Sequence, residues 1–152
     1  MTRRLASASL LSELMPPDAL ALYATVILLL PMACFFLSSP TFLLVGLEIP
    51  EVTQLLRGLF NGYFIVMGVA GVVSATAYVV AGRPVFAVGA LAVATVAVMA
   101  RRWFLQHLDA ELQARAAGEA AAVPRLRALH LKGMLLNAIL LATVVANVPL
   151  VV

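Results

Sequence analysis

The stretch "NGYFIVMGVAGVVSATAYVVA", residues 61–81, contains no Asp, Glu, Lys or Arg. Roughly 20 helical residues cross the hydrocarbon core of a bilayer, which is about 30 Å thick, and this stretch has that length. Three further stretches are comparably long and apolar, at residues 19–39, 84–100 and 126–148. The sequence therefore predicts an all-α fold, an integral membrane four-helix bundle.

The overall composition supports the same class. The 152 residues are 64% hydrophobic and 11% charged, with a mean hydropathy of +1.07, whereas a soluble domain is about half apolar and about a quarter charged. The net charge is +3, but the basic residues flank the apolar stretches, and no basic run carries interleaved aromatics. The charge therefore indicates membrane topology rather than nucleic-acid binding, and the expected partner is the lipid bilayer.

Prolines and charged residues indicate where the first two helices begin. Asp18 is a plausible N-cap of the first helix, and Pro31 inside that helix should kink it. Residues 41–50, "TFLLVGLEIP", are apolar but short, and they predict an interfacial or re-entrant connector or a frayed extension of the first helix. Pro50 and Glu51 favour a helix start, from which an amphipathic turn leads into the second span.

The third helix is expected to extend beyond the bilayer. Its span ends at residues 101–103, "RRW", which resemble the basic and aromatic belt of a membrane interface. Good helix formers continue to about Gly118, and Glu111 and Arg115 have the spacing of a favourable i,i+4 pair. Residues 101–125 therefore predict a helical hairpin extension that leads into the last span.

The N-terminal tail, residues 1–18, contains two arginines followed by a mixed stretch. That stretch is too polar and too short for the apolar region of a signal peptide, so we expect a retained tail, part of which fits an amphipathic helix on the membrane surface. We treat residues 1–152 as a single membrane domain.

Basic residues predict the orientation. The first and third loops, with their flanks, carry seven of them: Arg57, Arg101, Arg102, Arg115, Arg125, Arg127 and Lys132. The tail and the second loop carry three: Arg3, Arg4 and Arg83. The positive-inside rule then places the third loop in the cytoplasm and both termini outside, and we expect the membrane to be a bacterial inner membrane.

Small residues recur along the second and third spans. The candidate packing positions are Gly58, Gly62, Gly68, Gly71, Ser74 and Gly89. Small residues at such spacing allow helix backbones to approach closely in lipid. They indicate packing inside the bundle or, alternatively, a face that binds a partner protein.

Polar residues within the last span form the main candidate site. His130, Met134 and Asn137 share one helix face, and polar groups in a membrane usually face the bundle interior. The structural interpretation gives His130 a role as an interfacial anchor or a bond to a backbone carbonyl. It gives Asn137 an interhelical hydrogen bond, and the candidate partners are Ser74, Tyr78 and Ser38. The functional interpretation adds Arg57 and Tyr63 to a polar stripe that would handle a small solute or a metal.

Cofactor binding and catalysis have little support in the sequence. The hairpin places His107 and His130 roughly 7 Å apart along the axis, which disfavours bis-histidine haem. Cys34 is the only cysteine, which excludes an intramolecular disulfide, and the methionines are too scattered to favour a copper(I) site. All seven acidic residues lie outside the spans, so no buried carboxylate pair can relay protons. We expect no cofactor and no enzymatic activity.

Two motifs resemble a known family. "LHLKGMLLN", residues 129–137, resembles the closing motif of the small four-helix membrane family typified by transmembrane protein 205, with Gly133 where the family usually has a serine. "RGLFNGYF", residues 57–64, is similar to the family's Arg-x-x-Phe-x-x-Tyr stretch, and Asn61 stands where a proline is common. "SSP", residues 38–40, also fits. The resemblance implies a four-helix bundle of largely unknown biochemical function, with links to metal or drug resistance in eukaryotic members.

The sequence thus favours a non-enzymatic accessory or structural subunit that packs against a larger membrane protein complex. One alternative is a small-solute or metal-handling protein that uses the polar stripe. Another is a haem- or quinone-binding subunit of a membrane oxidoreductase.

Overall fold

The computed structural model describes residues 16–151, which are largely helical and contain no strand. The helices are α1 (Pro17–Ser38), α2 (Thr41–Leu44), α3 (Pro50–Val80), α4 (Pro84–Ala116) and α5 (Ala122–Val151). The predicted all-α four-helix bundle is confirmed, with α2 as an additional short helix in the first connector. The predicted amphipathic segment of the N-terminal tail lies outside the described residues.

The four long helices are all long and apolar enough to cross a membrane, and the chain is a membrane protein of this architecture. Helix α4 has 33 residues. At about 1.5 Å per residue it is roughly 50 Å long. This length exceeds the thickness of a hydrocarbon core, which is about 30 Å. The uncharged part of α4, residues 84–100, spans roughly 26 Å, so the helix as a whole is long enough for part of residues 101–116 to lie beyond the hydrocarbon core.

Prolines and glycines define most helix ends. Pro17, Pro50 and Pro84 occupy first helical positions, where the missing N–H has no helical acceptor in any case. Gly82 and Gly118 have positive φ of 70° and 86° at the turns that follow α3 and α4, a conformation that glycine adopts without steric cost. These two glycines allow both hairpin turns to be short.

The helices run up and down, and α1 contacts α3, α3 contacts α4, α4 contacts α5, and α5 contacts α1. We call the end with α2 and the α4–α5 turn the basic end, because the seven basic residues given above flank the spans there. At the opposite end Arg83 donates to an Asp18 carboxylate oxygen at 2.7 Å and to the Leu150 carbonyl at 3.3 Å. A single side chain therefore connects α1, the α3–α4 turn and α5.

The basic end has its own cross-links. Arg115 donates from Nη1 to the Leu47 carbonyl at 3.0 Å and to Thr53 Oγ1 at 2.9 Å. Glu111 accepts from Arg125 Nε at 2.7 Å. The expected pair of Glu111 with Arg115 is not formed. Glu111 instead binds Arg125 of α5, and Arg115 binds the first connector and Thr53 of α3.

Two apolar clusters fill the bundle. The cluster in the basic half contains large side chains, among them Phe35, Phe60, Phe64, Phe104 and Leu108. The cluster in the opposite half consists largely of alanines, among them Ala21, Ala24, Ala70, Ala75, Ala87 and Ala90. Large side chains hold helices apart, whereas small ones let backbones come together.

The small residues predicted as packing positions lie in different surroundings. A Cβ on Gly71 would lie 2.8 Å from the Ala94 Cβ and 2.9 Å from the Ala90 carbonyl oxygen, so α3 and α4 touch there. Ser74 is fully buried and donates to the Ala24 carbonyl at 2.8 Å. A Cβ on Gly68 would only reach a Val98 methyl at 3.9 Å.

Three of the predicted packing glycines do not pack inside the bundle. Gly58, Gly62 and Gly89 are exposed, and beyond its own helix each would place a Cβ more than 4 Å from every described residue. The helical rotation that buries Gly71 turns Gly58 and Gly62 outwards, and the alanines of α4 face inwards in place of Gly89.

Candidate functional site

Asn137 joins three helices in the middle of the bundle. Its side chain is 1% exposed. Its Oδ1 accepts a hydrogen bond from Tyr63 Oη at 2.6 Å, and its Nδ2 donates to the Met32 carbonyl at 3.1 Å. Because α3 and α5 are diagonal across the bundle, the hydrogen bond between Tyr63 and Asn137 crosses the centre of the bundle. Asn137 therefore fixes α5 to α1 and α3 at one depth.

The interhelical bond was expected, but its three candidate partners were wrong. Ser74 donates to the Ala24 carbonyl, Tyr78 pairs with Thr25 Oγ1 at 2.6 Å, and Ser38 donates to the Cys34 carbonyl at 2.8 Å. The reason is register along the helices. Ser74 lies roughly 16 Å farther along α3 than Tyr63, at about 1.5 Å per residue.

His130 is fully buried near the end of α1. Its Nε2 lies 3.1 Å from the Ser39 carbonyl oxygen and 3.4 Å from Ser39 Oγ. The Ser39 carbonyl also accepts from the Phe42 backbone N–H at 3.1 Å, so the imidazole N–H is a second donor to the same oxygen. Of the two roles predicted for His130, the bond to a backbone carbonyl is present.

The other nitrogen of His130 is a buried acceptor without a partner. Nδ1 makes no hydrogen bond to any described residue. The neighbouring rings are Phe60, edge-on at a centroid distance of 5.8 Å, and Phe42 at 6.1 Å. Among the buried side-chain nitrogen and oxygen atoms of the described residues, Nδ1 of His130 is the one without a hydrogen-bond partner, and a buried polar atom left unpaired costs about 1 to 3 kcal/mol.

Gly133 makes room for Phe60. A Cβ on Gly133 would lie 2.6 Å from Phe60 Cζ and 3.4 Å from Phe104 Cε1. The Phe60 ring therefore occupies the volume that a side chain at position 133 would need. The packing glycines predicted from the sequence lie on α3 and α4, and the role of Gly133 depends on the α3–α5 register.

The three stretches that carried the family resemblance meet at this site. Ser39 and Phe60 both contact His130, Gly133 underlies Phe60, and Tyr63 bonds to Asn137. We call Ser39, Phe60, Tyr63, His130, Gly133 and Asn137 the polar cluster.

The predicted polar stripe is only partly assembled. Arg57 makes a bidentate pair with Asp109 of α4, with Nε–Oδ1 at 2.5 Å and Nη2–Oδ2 at 2.8 Å. Met134 is half-buried and packs against the apolar core of the basic half. Tyr63, His130 and Asn137 therefore belong to the cluster, while Arg57 belongs to a separate ion pair on the outer part of the bundle.

The histidines do not form a common ligand set. His107 is exposed. Its Nδ1 lies 2.7 Å from the Trp103 carbonyl oxygen, and the centroids of the His107 and Trp103 rings are 4.1 Å apart. His130 instead faces α1. Among residues 16–151, no group of three or more His, Cys, Asp or Glu side chains comes together.

Charged side chains order the α4–α5 turn outside the membrane. Arg125 pairs with Glu111 at 2.7 Å and with Glu119 at 2.8 Å. The hydrogen bond from Arg125 and its positive charge hold the pKa of the Glu119 carboxyl below its usual value.

An apolar groove of about 770 Å³ runs along the outer surface of α3 and α4. Gly68 and Ala94 form its floor, and Arg101 and Arg102 stand at one end. Arg101 donates from Nε to Asn61 Oδ1 at 2.9 Å. The sequence identified both arginines as part of an interface belt, but the groove depends on the α3–α4 register, which sequence periodicity does not supply.

Comparison with protein-family models, with curated proteins and with solved structures finds no match to this chain.

Proposed function

We propose that the protein is a small, non-enzymatic accessory or structural subunit that packs against a larger membrane protein complex. The observation that carries this proposal is the exposed pair Gly58 and Gly62 on α3. Glycine inside a helix costs about 1 kcal/mol relative to alanine, and the bundle itself gains no close contact from either residue. Glycines four residues apart are a frequent contact surface between membrane helices.

The arrangement of the interior supports the same proposal. Tyr63 with Asn137, Thr25 with Tyr78, and Ser74 with the Ala24 carbonyl are all joined within the chain. Hydrogen bonds of this kind fix helices against each other and leave few polar groups for a substrate. The outer surface, rather than the interior, is then the part of the molecule that other components reach.

Gentle purification tests this proposal. Wild-type protein extracted in mild detergent should elute with a larger membrane protein, identified by mass spectrometry. The double variant Gly58→Leu/Gly62→Leu should elute without it, while the control Gly89→Leu, an exposed glycine on α4, should retain it. A wild-type chain that elutes alone as a monomer would contradict the proposal.

We also propose that the basic end lies in the cytoplasm and the opposite end outside, in a bacterial inner membrane. Among the described residues, Arg83 is the sole Lys or Arg at the opposite end, and the other seven lie at the basic end. A cysteine at Glu119, introduced with Cys34→Ser, should react with impermeant maleimide only after the membrane is opened. Reaction in intact cells would reverse this orientation.

A second candidate function is the handling of a small solute or a metal at the polar cluster. The unpaired Nδ1 of His130 favours it, because a buried imidazole nitrogen can accept a proton or ligate a metal. His130→Leu and Asn137→Leu should then abolish the activity while the bundle remains folded. Full tolerance of both changes would exclude this function. For the haem-binding alternative, an absorption spectrum without a Soret band would be decisive against it.

We also propose that this chain is related to the transmembrane protein 205 family. The support for this proposal is that the three resembling stretches, 38–40, 57–64 and 129–137, contribute to one cluster. An alignment of related chains in which Tyr63 and Asn137 vary independently would count against it.

A further inference from the structure

The groove on α3 and α4 has the length of one membrane leaflet. It extends along α4 from Leu91 to Arg102, which is roughly 16 Å at about 1.5 Å per residue. Half of a hydrocarbon core is about 15 Å. The groove therefore begins at the membrane interface and ends near the bilayer midplane.

The groove is apolar along its length and basic at its interfacial end. Its walls include Ile65, Val69 and Val98, which are all about half exposed. Its small floor residues, Gly68 and Ala94, give it depth. A volume of about 770 Å³ lies within the range of about 300 to 1,000 Å³ that is usual for small-molecule sites.

The two arginines at the interfacial end have hydrogen-bond donors that no described residue accepts from. Asn61 accepts only from Nε of Arg101, which orients that guanidinium, and neither Nη atom bonds to a described residue. Arg102 is exposed and also makes no hydrogen bond within the described part of the chain. Guanidinium groups bind phosphate oxygens in bidentate geometry, so this end is complementary to a phosphate.

We propose that this groove binds one anionic phospholipid of the leaflet at the basic end. One acyl chain lies along the groove above Gly68 and Ala94, and the headgroup phosphate accepts hydrogen bonds from Arg101 and Arg102. Basic sites between membrane helices are known to recognise anionic headgroups in this way. The proposal is independent of the accessory role, which rests on Gly58 and Gly62.

Native mass spectrometry of the full chain in mild detergent tests the site. Equal amounts of phosphatidylglycerol and phosphatidylcholine are added, and the single-lipid states are compared. Wild-type protein should favour phosphatidylglycerol. Arg101→Gln/Arg102→Gln should lower that preference by about fivefold for each arginine removed. The control Arg127→Gln/Lys132→Gln removes the same charge from the same end of the bundle and should preserve the preference.

A second pair of variants tests the acyl-chain part of the groove. Gly68→Leu fills the floor, where a Cβ meets nothing closer than a Val98 methyl at 3.9 Å, so the fold should tolerate it. It should remove the single-lipid state for both lipids, whereas Gly89→Leu should keep it. If the double arginine variant does not fold, Arg102→Gln alone should give the fivefold loss.

Three results would overturn the proposal. They are equal binding of both lipids by the wild type, an equal loss in the charge-matched control, and lipid binding that survives Gly68→Leu. If Gly68→Leu instead released a co-purifying protein and left lipid bound, the groove would be a protein contact and the lipid site would be wrong.

Discussion

The two halves of α5 differ in how they meet the rest of the bundle. Between Leu126 and Asn137 the helix buries five side chains or glycines, Leu126, Leu129, His130, Gly133 and Asn137. Beyond Asn137 it buries only Val151, and a cavity of about 280 Å³ separates it from α4 near Phe86 and Thr143. Helix α5 is therefore held against the other helices mainly in the basic half.

The same contrast appears in the chemistry of the two halves. The basic half combines stacked rings, such as Phe60 and Phe104 with centroids 5.3 Å apart, with a hydrogen bond across the bundle. The opposite half relies on alanines and on the Thr25–Tyr78 bond. Lipid tails are as apolar as leucine, so shape and hydrogen bonding, rather than apolar burial alone, distinguish the folded bundle from separated helices.

The largest effect should come from Phe60, which is 1% exposed and packs against three phenylalanine rings and His130. Phe60→Ala should lower the free energy of unfolding by about 3 kcal/mol, because it leaves a cavity in the basic half. Phe36→Ala removes an exposed phenylalanine of α1 and should change it by less than about 0.5 kcal/mol. Unfolding by SDS in mixed micelles measures both, and equal losses would remove the contrast between buried and lipid-facing rings.

Asparagine at two positions of α5 provides the sharpest comparison of the halves. Asn137 bonds to α1 and α3, whereas Asn147 is exposed and bonds only to the Thr143 carbonyl of its own helix. Asn137→Leu should cost about 2 kcal/mol, because it leaves the Tyr63 hydroxyl unpaired. Asn147→Leu should have no measurable cost in the same unfolding assay. A larger loss of unfolding free energy for Asn147→Leu than for Asn137→Leu would mean that the critical contacts of α5 lie in the opposite half.

Gly133→Ala should destabilise by about 1 kcal/mol, because its Cβ collides with the Phe60 ring. The second change Phe60→Leu removes that ring, so the double variant should lose less than the sum of the two single variants. Additive losses in the same assay would show that the ring and the glycine do not share this space.

The smallest effect is expected at the Thr25–Tyr78 bond in the opposite half. Tyr78→Phe should lower the free energy of unfolding by about 0.6 kcal/mol, the typical value for a side-chain hydrogen bond between membrane helices. Thr25 keeps its bond to the Ala21 carbonyl, which limits the cost. A loss larger than that of Asn137→Leu would reverse the ranking of the two halves.

The sequence predicted the helices well because hydropathy, prolines and charges are local properties. Pro50 and Pro84 begin helices as expected, and α4 ends at Ala116, close to the predicted Gly118. Helix α5 begins at Ala122 and continues through Pro149 to Val151, beyond the predicted end at Val148.

The partners of the polar residues could not be predicted in the same way. That Asn137 needed an interhelical partner followed from its place in an apolar span. The partner is Tyr63 rather than Ser74 or Tyr78 because of the register between α3 and α5, which the sequence does not determine locally. The role of Gly133 was missed for the same reason, since only the register brings Phe60 against it.

The central claim is that the polar residues of the basic half hold the helices together. A double-mutant cycle of Tyr63→Phe and Asn137→Leu, measured by unfolding in mixed micelles, tests it most directly. We predict a coupling free energy between about 0.6 and 1.7 kcal/mol, the range for hydrogen bonds between membrane helices. Additive effects of the two changes, with no coupling, would contradict the account.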